Sequence, residues 1–201
     1  ARRNFGYAAF SKIYHELEMD QFFKNRQRQS KAEFNINSIF RALVFTRLLY
    51  PDSKKGSYEN FDKLFEKCDF SLDDVYRSLD IFKRYQSEFQ LWLHQHIRKE
   101  YGRDTSLVYY DVTNYYFEID KEDDMRRRGV SKEHRPDPIV QMGLFMDTNG
   151  IPITYGLFSG NTPDKLTLIP LMGKLVDEYE LVKVIVVADR GMITGDNIAQ
   201  T

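Results

Sequence analysis

The sequence predicts an α/β protein in which a helical N-terminal region precedes a mixed sheet with a crossover helix. Three observations predict it. Apolar residues recur at three- and four-residue spacing through the first hundred positions and at strand spacing from about residue 104. Asn149-Gly150 stands between two apolar runs, a strong signal for a hairpin turn. A largely apolar run, Val182 to Val187, follows an amphipathic stretch, as a central parallel strand follows its crossover helix.

The elements follow in order. Phe10, Ile13, Tyr14 and Leu17 mark a first helix. Ile36, Ile39, Phe40, Leu43, Val44, Leu48 and Leu49 mark a second, stopped by Pro51. Val75, Leu79, Phe82, Phe89, Leu91, Trp92 and Ile97 predict one long third helix, capped by Ser71 or Asp73 and ending near Tyr101-Gly102. Domains are expected at 1–103 and 104–201. In the second, Leu107 to Phe117, Ile139 to Met146 and Ile151 to Phe158 read as strands. Thr162 then reads as an N-cap with Pro163 at the first helical position and Asp164 favoured by the helix dipole. That helix is expected to reach about Tyr179 with a kink at Pro170, burying Leu166, Leu168, Ile169, Leu171, Met172, Leu175 and Val176. Three strands in antiparallel succession and a crossover helix to another strand match a partial ribonuclease H-like mixed sheet.

Composition bounds the function. With 201 residues, 42% hydrophobic and 14% aromatic, the chain can bury a core and is not disordered. A net charge of −1 means that any nucleic-acid site is a local patch. One cysteine, Cys68, excludes an intramolecular disulfide and fits a reducing compartment. No apolar run approaches the ~18 residues of a membrane span, and the start Ala-Arg-Arg-Asn-Phe-Gly has no signal-peptide h-region. A cytoplasmic protein without a membrane partner is expected. The first residue is not Met, and a helix opening at Thr194 has only a turn or two before Thr201, so the chain reads as a fragment of a longer protein.

Two aspartates carry the chemistry. Asp111 closes the apolar run Ser-Leu-Val-Tyr-Tyr-Asp, and Asp189 closes Val-Lys-Val-Ile-Val-Val-Ala-Asp. A carboxylate where a buried strand meets solvent stands on a rigid support, which suits Mg²⁺ and its strict octahedral oxygen geometry. For either aspartate alone, the start of a loop is the ordinary reading. Convergence of the two on adjacent strands, ~4.8 Å apart, would let them share ions. His94 and His96 point to different helix faces and make a poor metal pair, and no phosphate loop, nucleophile elbow or dinucleotide fingerprint is present.

The residues also resemble a family. Tyr109-Tyr110-Asp111-Val112-Thr113, Ser131-Lys132 with Arg135-Pro136-Asp137, Gly143-Leu144, Gly150-Ile151-Pro152, Gly160-Asn161-Thr162 and Val187-Ala188-Asp189-Arg190-Gly191-Met192 occur in one order. Together they resemble the first half of the catalytic domain of a DDE transposase, in the bacterial insertion-sequence branch with a Tyr-Arg-Glu-Lys signature. The resemblance covers roughly residues 105–201 and is only general for the helical half, where such enzymes place a DNA-contacting region. It implies Asp111 and Asp189 as the first and second catalytic acids and metal ligands, and two divalent ions, Mg²⁺ or Mn²⁺. It also implies cleavage of double-stranded transposon-end DNA with strand transfer to target DNA, and a homodimer that pairs the ends. The third acid, a Glu, has no counterpart here, so this chain alone is expected to lack catalysis. Lys132, Arg135 and Arg190 are expected to contact DNA.

The segment from Ile119 to Pro138 mixes Lys121, Arg126, Arg127, Arg128, Lys132, His134 and Arg135 with acids. A mixed run is usually a solvated face, yet its basic tip can also follow phosphates. Asn25 to Lys31, with Lys24, Arg26 and Arg28, forms a second basic patch, read as an exposed helix end or loop. Two other readings stay open: a DNA-binding or inhibitory transposase derivative that does not cut, and an unrelated helical and α/β interaction protein.

Overall fold

A computed structural model describes residues 3–130, 135–179, 181 and 185–188. The chain divides into two compact units, residues 1–101 and 102–201.

The first unit is helical: α1 (Gly6–Glu16), α2 (Met19–Gln29), α3 (Ile36–Leu49), α4 (Lys54–Glu59), α5 (Leu72–Arg84) and α6 (Gln86–Tyr101). Its starts are chemically marked. Asn35 Oδ1 accepts the Ser38 N–H at the head of α3, and Ser71 with Asp74 forms a reciprocal capping box at the head of α5. α3 is the core helix, with Ile36, Ile39, Ala42 and Phe45 buried against Tyr14, Phe22, Phe23 and Val75. Cys68 lies half-buried against this core, and burial pushes its thiol up to about 11.

Two helix expectations are corrected. The segment expected as one long third helix is two helices, because the backbone leaves helical geometry at Tyr85. The apolar period runs through the break since both pieces close on one aromatic cluster. The Phe82 and Phe89 rings lie 5.1 and 5.0 Å from the Phe40 ring. The stretch around Asn25 lies within a full helix, α2, anchored by Phe22 and Phe23. Its apolar stripe is short, Phe22 and Phe23 with the partly buried Met19 one turn before them, and the rest of the helix is polar.

The second unit is a four-stranded mixed sheet of order β3-β2-β1-β4: β1 (Leu107–Tyr116), β2 (Ile139–Met146), β3 (Pro152–Ser159) and β4 (Ile185–Ala188). β1, β2 and β3 are antiparallel neighbours, and β4 runs parallel to β1. This is the succession of strands predicted for a ribonuclease H-like sheet. The β2–β3 loop ends on Gly150, whose φ of +76° is open to glycine at little cost. Its N–H donates to the Asp147 carbonyl at 2.8 Å.

The crossover helix begins differently from the sequence expectation. Thr162 does not cap it; its N–H donates to Ser159. A 3-10 turn, Asp164–Leu166, comes first, and α7 (Leu168–Asp177) restarts after Thr167. The reason is Pro170. Its ring cannot follow an unbroken turn, so the helix restarts with Pro170 in its first turn, where no N–H is needed. α7 lies over the sheet at Gly143 and Gly156, paired across β2 and β3. A methyl on Gly143 would collide with Tyr110 Oη and sit 2.9 Å from Leu171, and one on Gly156 would sit 2.9 Å from Leu171; the pair makes room for the Leu171 side chain, and Gly143 also for the Tyr110 hydroxyl.

A buried ion pair ties the hairpin loop to the chain just before β1. Arg103 Nε lies 3.5 Å from Asp147 Oδ2, with both side chains essentially inaccessible. Arg103 Nη2 donates to the Pro152 carbonyl at 3.0 Å, and Asp147 Oδ1 accepts the N–H groups of Asn149 and Ile151. Removing one member strands the other charge in the interior. Arg103→Met is expected to cost about 3–5 kcal/mol, read as a lower urea midpoint with an unchanged slope.

Candidate functional site

β1 is paired on both edges, so its side chains can only alternate between the two sheet faces. Val108, Tyr110 and Val112 are buried, while Tyr109, Asp111, Thr113 and Tyr115 are exposed. Asp111 therefore stands in the middle of the central strand, not at its end. The apolar run stops at Asp111, but pairing with β2 continues to Tyr116 because Thr113 and Tyr115 need no cover on the exposed face.

Asp111 is opposite Leu144 on β2, and Leu144 is opposite Tyr155 on β3. Tyr109, two positions before Asp111 on the same face, is paired with Val187 of β4. The carboxylate thus projects from a rigid surface flanked by aromatic and aliphatic side chains. Beneath it, Tyr110 Oη donates to Thr167 Oγ1 at 2.7 Å. Thr167 Oγ1 donates to the Asp164 carbonyl, and Asp164 Oδ1 accepts Gln141 Nε2 at 2.9 Å. Burial pushes the Tyr110 hydroxyl up to about 12, and it stays protonated as the donor this chain of bonds requires. The sequence placed Tyr110 in a motif without a role; its inward position in the strand's alternation was the available signal.

Asp189, Arg190 and Lys132 lie outside the described residues. Among those described, no group of three or more His, Cys, Asp or Glu is gathered closely enough to hold a metal ion. Asp111 offers one hard oxygen donor on a stiff support, the donor chemistry that suits Mg²⁺ or Mn²⁺. Arg135 lies over the Tyr116 ring, 5.0 Å from its centroid. Tyr116 is five residues, roughly 17 Å, along β1 from Asp111.

The β1–β2 connection is organised by its own charges. Arg126 pairs with Asp123, Arg127 with Glu122 and Asp124, and Arg128 with Glu122. Arg127 also bridges Ile139 through its backbone, and the Gly160 N–H donates to the Met125 carbonyl. The three arginines are thus engaged locally and the loop is pinned to the sheet.

No protein-family model matches the chain, and no curated protein matches it. Two solved structures are similar. One is a Mos1 transposase paired-end complex with the left transposon end, at 12% identity and a TM-score of 0.33, covering 81% of this chain and 55% of that one. The other is a Mos1 mariner paired-end complex with Mn, at 15% identity and a TM-score of 0.28, covering 80% and 56%. The chain spans about half the length of these transposase chains. Among the described residues, no helix is long and apolar enough to cross a membrane.

The Arg126 side chain, with the Arg126 and Met125 N–H groups, holds the Asp123 carboxyl down to about 2. Because the folded value is lowered, its contribution to stability is present above the ordinary carboxylate range and is lost as pH falls through about 2. An NMR titration should find Asp123 ionised until close to that pH. Arg126→Ala should move the midpoint upward.

Proposed function

We propose that the chain is part of a DDE transposase of the insertion-sequence type, which cuts transposon-end DNA and joins it to a target by two-metal phosphodiester chemistry. One observation carries the reading: the register of β1 with β4. Tyr110 pairs with Ala188 in a parallel ladder, and the residue that follows each of them in sequence is an aspartate, Asp111 and Asp189. One more step of that ladder would set the two carboxylates on neighbouring strands ~4.8 Å apart. The ordered motifs around both aspartates support the same assignment.

In this reading Asp111 and Asp189 would hold the divalent ions. Bound there, they would supply activation of the attacking oxygen and charge stabilisation for the leaving one. The chain's own contribution is placement. β1 is fixed on both edges, Tyr110 is bonded to Thr167 behind the acid, and Leu171 is seated against Gly143 and Gly156. Lys132, Arg135 and Arg190 contact duplex DNA. Pairing of two DNA ends calls for a homodimer, and the half-buried Cys68 thiol fits a cytoplasmic setting.

Asp111→Asn and Asp189→Asn should each reduce end cleavage to background in the intact protein that carries the third acid. Exchange at the exposed Asp111 should change stability by no more than about 0.5 kcal/mol. Cleavage assayed with Mn²⁺, beside a thermal melt, checks both. Retained cleavage in either variant sinks the assignment.

A further inference from the structure

We infer that the outer row of α2 is a base-reading face that enters the major groove of duplex DNA. Gln21, Lys24, Asn25, Arg28 and Gln29 are all exposed. They fall at three- and four-residue spacing, so they form one continuous stripe along the helix. Every side chain in it is an amide or a cation. Those groups match base edges in the major groove: Arg and Lys donate to guanine O6 and N7, and Asn and Gln pair with adenine N6 and N7.

The ordinary reading of such a row is a solvated helix face, and the same unit contains one for comparison. The exposed side of α5 mixes signs, with Asp73 and Asp80 among Arg77, Lys83 and Arg84. The α2 row contains no acid. The one acid on α2, Asp20, is buried beneath it, where it accepts Lys24 Nζ at 2.8 Å and lies 3.5 Å from His15 Nδ1. Arg28 has no ion-pair partner among the described residues. The unit as a whole holds 18 Lys and Arg against 14 Asp and Glu, a balance that complements phosphate.

The inner face holds the row in a fixed direction. Phe22 and Phe23 are buried. Arg26 lies over the Phe22 and Tyr85 rings and pairs with Glu88. Gln27 accepts the Ile36 N–H at 2.8 Å and donates to the Ala32 and Phe34 carbonyls, setting the connection to α3. Polar residues on the inner side are thus consumed by packing, and the rotation of α2 is locked. A preorganised helix loses little freedom on binding. α2 follows α1 through Leu17 and a left-handed Glu18, a helix, tight turn and second helix in the order used by groove-reading motifs. Its eleven residues span roughly 16 Å, in a groove of about 12 Å that admits one helix.

This assignment rests on DNA being the partner but not on the metal chemistry, so the test is run in EDTA. The probe is a fluorescein-labelled pool of random-sequence duplexes, taken through rounds of selection on this 201-residue chain and read by anisotropy. The parent should enrich a duplex sequence and bind it with steep salt dependence. Asn25→Ala and Arg28→Ala should each weaken binding to the enriched duplex by about 5- to 100-fold, with melting temperatures unchanged. Lys54→Gln on α4 should leave binding as in the parent, and the absence of metal separates this result from any failure of the cleavage assignment. The inference is overturned if the Asn25→Ala/Arg28→Ala double variant enriches and binds the same duplex as the parent. It is equally overturned if the parent binds no duplex, or prefers RNA or single strands.

Discussion

The second unit depends on the two-sided pairing of β1. A strand with neighbours on both edges has no freedom to rotate, so the parity of each residue decides its environment. Even positions from Val108 to Val112 are given to the core, and odd positions from Tyr109 to Tyr115 to the open face. Asp111 is exposed because it is odd, and Tyr110 is buried because it is even. The hydroxyl of Tyr110 then needs a partner inside, and Thr167 supplies it. That bond holds Thr167, the junction between the 3-10 turn and α7, against the strand. One steric rule thus connects the acid, the core and the crossover helix.

The packing of α7 obeys a second constraint that reinforces the first. Leu171 fits only because β2 and β3 each place a glycine at the same level of the sheet. Larger residues there would lift the helix and break the Tyr110–Thr167 bond. The placement of Asp111 is therefore maintained by contacts on the opposite side of the sheet, through residues that never approach a substrate.

Much of this was legible in the sequence. β2 was read to the residue, because its apolar run is bounded by a Pro-Asp-Pro segment and an Asn-Gly turn. The change from helical to strand period marked the two halves. What was illegible has physical causes. The break at Tyr85 is silent, since two helices packing on one aromatic cluster show the same period as one. α2 was hidden because its apolar face is confined to its first turns, Met19, Phe22 and Phe23, and the residues after them are polar. The end of the apolar run at Asp111 marks a change of cover and not the end of pairing, as the strand read from Leu107 to Phe117 already required. The Arg103–Asp147 pair joins residues 44 positions apart, beyond any local pattern. The candidate site was legible only as motifs; strand register with β4 required the fold.

Cys68 has a practical consequence. With its thiol pushed up to about 11, only about one molecule in ten thousand carries the thiolate at neutral pH, and the thiolate is the form that oxidises or alkylates. The native fold therefore shields its one sulfhydryl from air. A cysteine introduced at an exposed position would react first, so a dye or spin label could be attached there without removing the natural one.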